Sequence, residues 1–100
     1  MRSPIIPLFC ALSGLVLSTG LFAADGHIQV IAATCMACHG PGGNSRNLIP
    51  RLAGLPKDQF VQTMKAFQTG EREATIMRRH AAGYTDAEID ALGIYFSALK

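Results

Sequence analysis

The chain has 100 residues, 49% of them hydrophobic, with nine lysines and arginines against seven aspartates and glutamates. That length, with no internal repeat, leaves room for one compact domain and excludes multidomain and solenoid readings. A net charge of +2 is too small for a nucleic-acid partner, which needs a strong basic excess.

Met1 and Arg2 open the chain and an apolar run follows from Ile5 to Phe22, broken by Pro7, Ser13, Gly14 and Gly20 and closed by Ala23 and Ala24. A charged start, an apolar middle and a small-residue exit are the build of a secretory signal peptide, so residues 1–23 are expected to leave by a cut after Ala23. Leu21 is an imperfect match to the small residue expected three positions before that cut. The rival reading is a retained anchor, because the run approaches the roughly 20 residues of a bilayer span. The Gly and Ser breaks favour cleavage, which leaves no membrane segment and removes Cys10. The cut takes Arg2 and nothing acidic, so the nine basic and seven acidic residues become eight and seven. The mature domain, 24–100, is small enough that an apolar core gives little stability on its own, and such domains carry staples. Only Cys35 and Cys38 remain to supply one.

From Ile28 to Cys35 the apolar residues Ile28, Ile31, Ala32 and Cys35 fall at i, i+3, i+4 and i+7, the stripe of an amphipathic helix. The helix runs into Cys35-Met36-Ala37-Cys38-His39, a C-x-x-C-H string that signals covalent haem attachment. On a helical turn, positions i, i+3 and i+4 share a face, so both thiols and the imidazole point the same way. The thiols can then bond the haem edge while the imidazole meets the iron. A thioredoxin-type dithiol would need a βαβ context and has no use for the histidine. A zinc site would need a second spaced pair, and Cys38 and His39 are poorly placed to share one tetrahedral ion. A plain disulfide is compatible with an exported chain.

Gly40-Pro41-Gly42-Gly43-Asn44-Ser45 reads as loop. A second helix is expected from about Pro56 to Thr69, with Asp58 in its first turn, Gly70 as its stop, and Phe60, Met64 and Phe67 as its buried stripe. The stretch Glu71–Tyr84 is read as a connection. Thr85 and Glu88 form a capping box that starts a last helix, with Ile89, Leu92, Phe96 and Leu99 on one face. Strand-like alternation is absent, so the expected class is all-α.

Candidates for the second axial position are Met36, Met64, Met77, His27 and His80. Met36 is held on the His39 side, Met64 fits a core stripe, and His27 precedes the first helix and reads as solvated. Met77, in the connecting stretch, is preferred over His80 because electron-transferring cytochromes use His/Met ligation. Metal-bound imidazoles donate their second N–H to a fixed acceptor, and the Ile49-Pro50-Arg51-Leu52 segment can offer the Pro50 carbonyl, with Leu52 covering the haem face. Arg51 or Arg72 can pair with haem propionates or simply face water. Lys57, Lys65, Arg78 and Arg79 can steer an acidic partner or equally be solvated.

The segment from about Ala32 to the C-terminus resembles class I cytochromes c. The strings C-M-A-C-H-G, I-P-R-L-A-G, F-Q-T-G-E-R, A-T-I-M-R-R-H-A-A-G-Y-T-D-A-E-I and I-Y-F are similar to the cytochrome subunits of flavocytochrome c sulfide dehydrogenases and their cytochrome c4 relatives. The resemblance implies a cytochrome c fold around one haem c, attached at Cys35 and Cys38, with His39 proximal, Met77 distal and Pro50 supporting His39. It also implies a periplasmic electron-transfer subunit that does no substrate chemistry itself, with an FAD-containing sulfide dehydrogenase subunit as donor and a downstream electron acceptor protein. Two departures stand out: a single C-x-x-C-H where some members carry two haem domains, and His80 where an apolar or neutral residue is expected. A free-standing soluble carrier is the nearest alternative. A five-coordinate haem catalyst or gas sensor, with Met77 detached and His80 as an acid-base group, is the alternative of another class.

Overall fold

The computed structural model describes Gly14 and the backbone of residues 20–100, with side chains from Gly26 onward. The expected leader, 1–23, and Cys10 within it lie outside the described residues, apart from Gly14 and the last four backbone positions. The elements in order are α1 (Gly20–His39), a single 3-10 turn (Pro41–Gly43), α2 (Lys57–Thr69), α3 (Met77–Ala82) and α4 (Asp86–Ser97). Among the described residues there is no strand, and no helix is long and apolar enough to cross a membrane.

The stripe on α1 faces the interior: Ala32 is fully buried, Ile31 nearly so, and Ile28 and Cys35 pack partly against the same cluster. α2 begins after Pro56, which sits at the N-cap, and it stops at Gly70 in the left-handed conformation (φ 83°). A glycine adopts that conformation without steric cost, which is why it closes helices. α4 starts on the capping box: Thr85 Oγ1 accepts from the Glu88 main-chain N–H (3.1 Å), and Glu88 Oε1 accepts from the Thr85 N–H (2.9 Å). Two orphan donors of the helix end are thereby satisfied reciprocally.

α4 is the centre of the packing, touching both α1 and α2. Its Ile89, Leu92 and Phe96 are completely buried, and burial of each contributes about 1.5–3 kcal/mol. Phe96 stacks on Phe60 of α2 (ring centroids 5.9 Å apart) and takes the edge of Tyr95 (5.3 Å, 88°). Gly93 lets the two helices approach: a Cβ there would lie 3.1 Å from Lys57 Cγ and 3.3 Å from the Lys57 carbonyl. Leu99, expected on the last helix, lies past its end at Ser97 yet packs partly on the core.

The connection expected from Glu71 to Tyr84 contains a helix, α3. It packs on α2 and buries Ala81 completely. Six residues cannot sustain a helix by local propensity, so the sequence in isolation carries no signal for it. The glycine-rich loop likewise holds one 3-10 turn, with Gly42 outside helical geometry (φ 64°).

Candidate functional site

The end of α1, the 48–52 segment, α2 and α3 enclose a cavity of about 420 Å³. Cys35, Cys38, His39, Pro50, Leu52, Met64, Met77 and His80 all line it, and most of the remaining wall is apolar, from Leu48, Ile49, Leu55, Phe60, Phe67 and Ile76. Cys35 is partly buried and Cys38 exposed; neither is bridged. Burial pushes the Cys35 thiol up from its ordinary range, more than the neighbouring hydrogen bonds draw it down.

His39 is buried (7% exposed), and its Nδ1 lies 2.6 Å from the Pro50 carbonyl oxygen. A carbonyl only accepts, so Nδ1 carries the proton and the lone pair is left on Nε2. The acceptor is itself held in place. Gly43, at φ 74°, turns its carbonyl to receive the N–H groups of both Leu52 (2.9 Å) and Ala53 (3.1 Å), which fixes the segment that presents Pro50. A Cβ on Gly43 would stand 3.1 Å from the Ala53 nitrogen and from the Phe96 ring. One close approach therefore links the core to the imidazole.

Among the five candidates for a second axial position, Met64, Met77 and His80 line the cavity, whereas Met36 and His27 do not. Met64 is 4% exposed and belongs to the core. Met77 is partly buried against the core, and His80 is exposed. His27, expected just before the first helix, lies inside α1 (Gly20–His39), which begins well ahead of the apolar stripe; its ring is exposed as expected, but it also donates from Nε2 to Glu88 Oε2 at 2.8 Å. That contact joins α1 to the capping box of α4 across 61 residues of sequence and has no sequence signature.

Arg51 and Arg72 both line the cavity. Each also has a structural role: Arg51 Nε donates to the Ala53 carbonyl (3.2 Å), and the Arg72 guanidinium lies over the Phe67 ring (5.3 Å to its centroid). Lys57, Lys65, Arg78 and Arg79 are not among the lining residues. Sequence reasoning missed Gln68, whose side-chain amide reaches from α2 to Ala81 and Tyr84. A signal existed: Gln68 follows Met64 by four positions, so a polar residue occupies the buried register of α2.

Two thiols, an imidazole with Nε2 free and a thioether, set in a largely apolar cavity, make a donor set suited to an iron porphyrin. No three His, Cys, Asp or Glu side chains gather among the described residues as a metal-ion cluster of the zinc kind would require. The profile of the cytochrome c family matches residues 23–100. The chain belongs to the cytochrome c family.

Membership of that family implies one covalently bound haem c. The chain is 37% identical over 72 residues to the cytochrome subunit of sulfide dehydrogenase of Chlorobaculum tepidum, covering 72% of this chain and 66% of that protein. It is 41% identical over 71 residues to a thiosulfate dehydrogenase electron acceptor of Thiomonas intermedia, covering 69% of this chain and 33% of the other. With cytochrome c-554(547) of Halothiobacillus neapolitanus it shares 30% identity over 79 residues, 68% of this chain and 87% of that one. The chain thus spans just under two thirds of the first relative and a third of the second.

Proposed function

We propose that this cytochrome c is the periplasmic subunit that accepts electrons, one at a time, from an FAD-containing sulfide-oxidising flavoprotein and hands them to a downstream acceptor protein. Residues 1–23 are its cleaved leader and 24–100 its functional domain. Cys35 and Cys38 hold the haem through thioether bonds, His39 is the proximal ligand through Nε2, and Met77 is the distal ligand. Leu52 covers one haem face. When bound, the haem iron supplies reversible one-electron chemistry.

The residues of this chain make that chemistry fast and reversible. Pro50 holds the His39 ring in one tautomer and one orientation, so Nε2 is presented without rearrangement. Met77 would supply a thioether, a donor that favours the reduced iron, and with His39 would hold the iron through electron exchange without a change of ligand. The largely apolar walls given by Leu52, Leu55, Phe60 and Phe67 limit water at the site.

The observation that supports this reading most is the convergence of Cys35, Cys38, an Nδ1-tethered His39 and Met77 on a single cavity. The test has two steps. The purified mature protein is expected to keep its pigment through denaturation in acidified acetone, and in the ferric state to show a thioether-to-iron charge-transfer band that Met77→Ala abolishes. Survival of the band in Met77→Ala, with its loss in Met64→Leu, overturns Met77 as ligand. Purification from native periplasm is then expected to bring a flavin-containing partner. Recovery of the cytochrome alone at every salt concentration supports the second reading, a free-standing carrier, which the long overlap with the Halothiobacillus cytochrome favours.

A further inference from the structure

α3 carries Met77 yet cannot hold itself in place. It has six residues and no side-chain cap at Ile76 or Gly83, whereas isolated helices need about 12–15 residues to be even marginally stable in water. Contacts from outside fix it, two of them at its C-terminal end. Ala81, four positions after Met77 and hence on the same helical face, is fully buried against the core. Gln68 of α2 supplies the other: its Nε2 donates to the Ala81 carbonyl at 2.7 Å and to the Tyr84 carbonyl at 3.3 Å.

Both partners of that amide are carbonyl oxygens, which can only accept, so the NH₂ group must face them and Oε1 cannot take its place. The Ala81 carbonyl is also the acceptor for the Tyr84 N–H (3.3 Å). One side chain therefore grips the last turn of α3 and the residue that follows Gly83. Its own helix carries Met64 and Phe67 into the cavity that Met77 and Tyr84 also line. A slip of α3 along α2 displaces the Ala81 and Tyr84 carbonyls, strains the two Gln68 bonds and carries Met77 with it.

We propose that Gln68 is a positioning residue that holds α3 in register with α2 and so keeps the Met77 thioether on the haem iron. The proposal rests on the reading of Met77 as the distal ligand. Gln68 touches neither the iron nor the thioether; it acts through the main chain of α3. Loss of its two bonds favours the conformer in which Met77 is detached, and any exogenous ligand that binds only that conformer gains affinity by the same factor.

The test compares ferric holoprotein carrying Gln68→Met or Gln68→Glu with the wild type and with Gln62→Met, an exposed position on the same helix. Both Gln68 variants preserve the length of the side chain. Methionine removes the donor, and glutamate at neutral pH sets a charged acceptor against two acceptors. The readouts are the charge-transfer band and the affinity for imidazole. Loss of the two bonds is expected to make Gln68→Met bind imidazole about tenfold more tightly, a change of about 1.4 kcal/mol. Gln68→Glu should go further and lose much of the band, and Gln62→Met should match the wild type. If the wild type shows the band and both Gln68 variants keep its intensity and the wild-type imidazole affinity, the proposal is overturned and the Met77 reading stands. A wild-type protein with no such band overturns both. A lowered melting temperature alone, with band and affinity unchanged, also counts against it. Should Gln68→Glu not fold, Gln68→Met carries the comparison.

Discussion

At His39, one hydrogen bond decides which ring nitrogen can bind a metal, and its acceptor is a main-chain atom that no side-chain substitution at Pro50 removes. The neighbouring thiols differ from each other. Burial raises Cys35 and leaves it partly covered, whereas Cys38 is exposed. Thiolate, not thiol, is the nucleophile, so in haem-free chain a short iodoacetamide pulse followed by peptide mass mapping is expected to label Cys38 first. Glu88 offers a prediction in pH. Its carboxyl is held below the usual range, chiefly by the Thr85 main-chain N–H and then by His27. A lowered carboxylate adds stability that is complete above the ordinary glutamate value and is lost as pH falls through the lowered one. Glu88→Gln is therefore expected to flatten the fall in melting temperature on acidification below about pH 4.5, measured by circular dichroism against the wild type. That Cys35, Cys38 and His39 line one cavity was legible because their spacing puts them on one helical face. The His27–Glu88 contact and Arg72 over Phe67 were not, since each joins residues that only the folded chain brings together.

At the scale of elements, legibility followed the locality of what stabilises each helix. α2 and α4 announce themselves through Gly70, Thr85 and Glu88, all of which act within a turn of the helix they bound. α3 was invisible because its support comes from Gln68 and from the pocket that receives Ala81. The crossing of α2 over α4 depends on a bare backbone at Gly93. Gly93→Ala adds a methyl whose hard contact is the Lys57 carbonyl at 3.3 Å, which must give by a few tenths of an ångström; overpacking of this kind costs about 1–3 kcal/mol, against about 1 kcal/mol that alanine gains in helix propensity, so a net loss is expected. Chemical denaturation is expected to show that loss with an unchanged haem spectrum. Gly43→Ala combines strain at φ 74° with contacts at 3.1 Å, so it should be more damaging and also disturb the His39 side, seen as a shifted visible spectrum.

For the whole molecule, the all-α class and cytochrome c fold expected from the sequence agree with the helical structure and the family match. The cavity is large for so small a domain. Without the haem its apolar walls at Leu52, Leu55, Phe60 and Phe67 would face water, which removes part of the burial a domain of this size depends on. Small domains are stable by only about 5–15 kcal/mol in total. Cys35→Ser combined with Cys38→Ser, which leaves no thioether attachment, is accordingly expected to abolish the cooperative thermal transition and most near-ultraviolet dichroism.

The chain's last residues return to the loop after His39: the Gly54 N–H donates to the Phe96 carbonyl (2.9 Å), and Asn44 Nδ2 donates to that of Lys100 (3.3 Å). A polypeptide made from its N-terminus presents Cys35 and Cys38 some sixty residues ahead of that closure. With α4 undocked, the loop after His39 would lose both of those bonds, so a haem could be attached while that side stands open, and docking of α4 would then shut the door behind it.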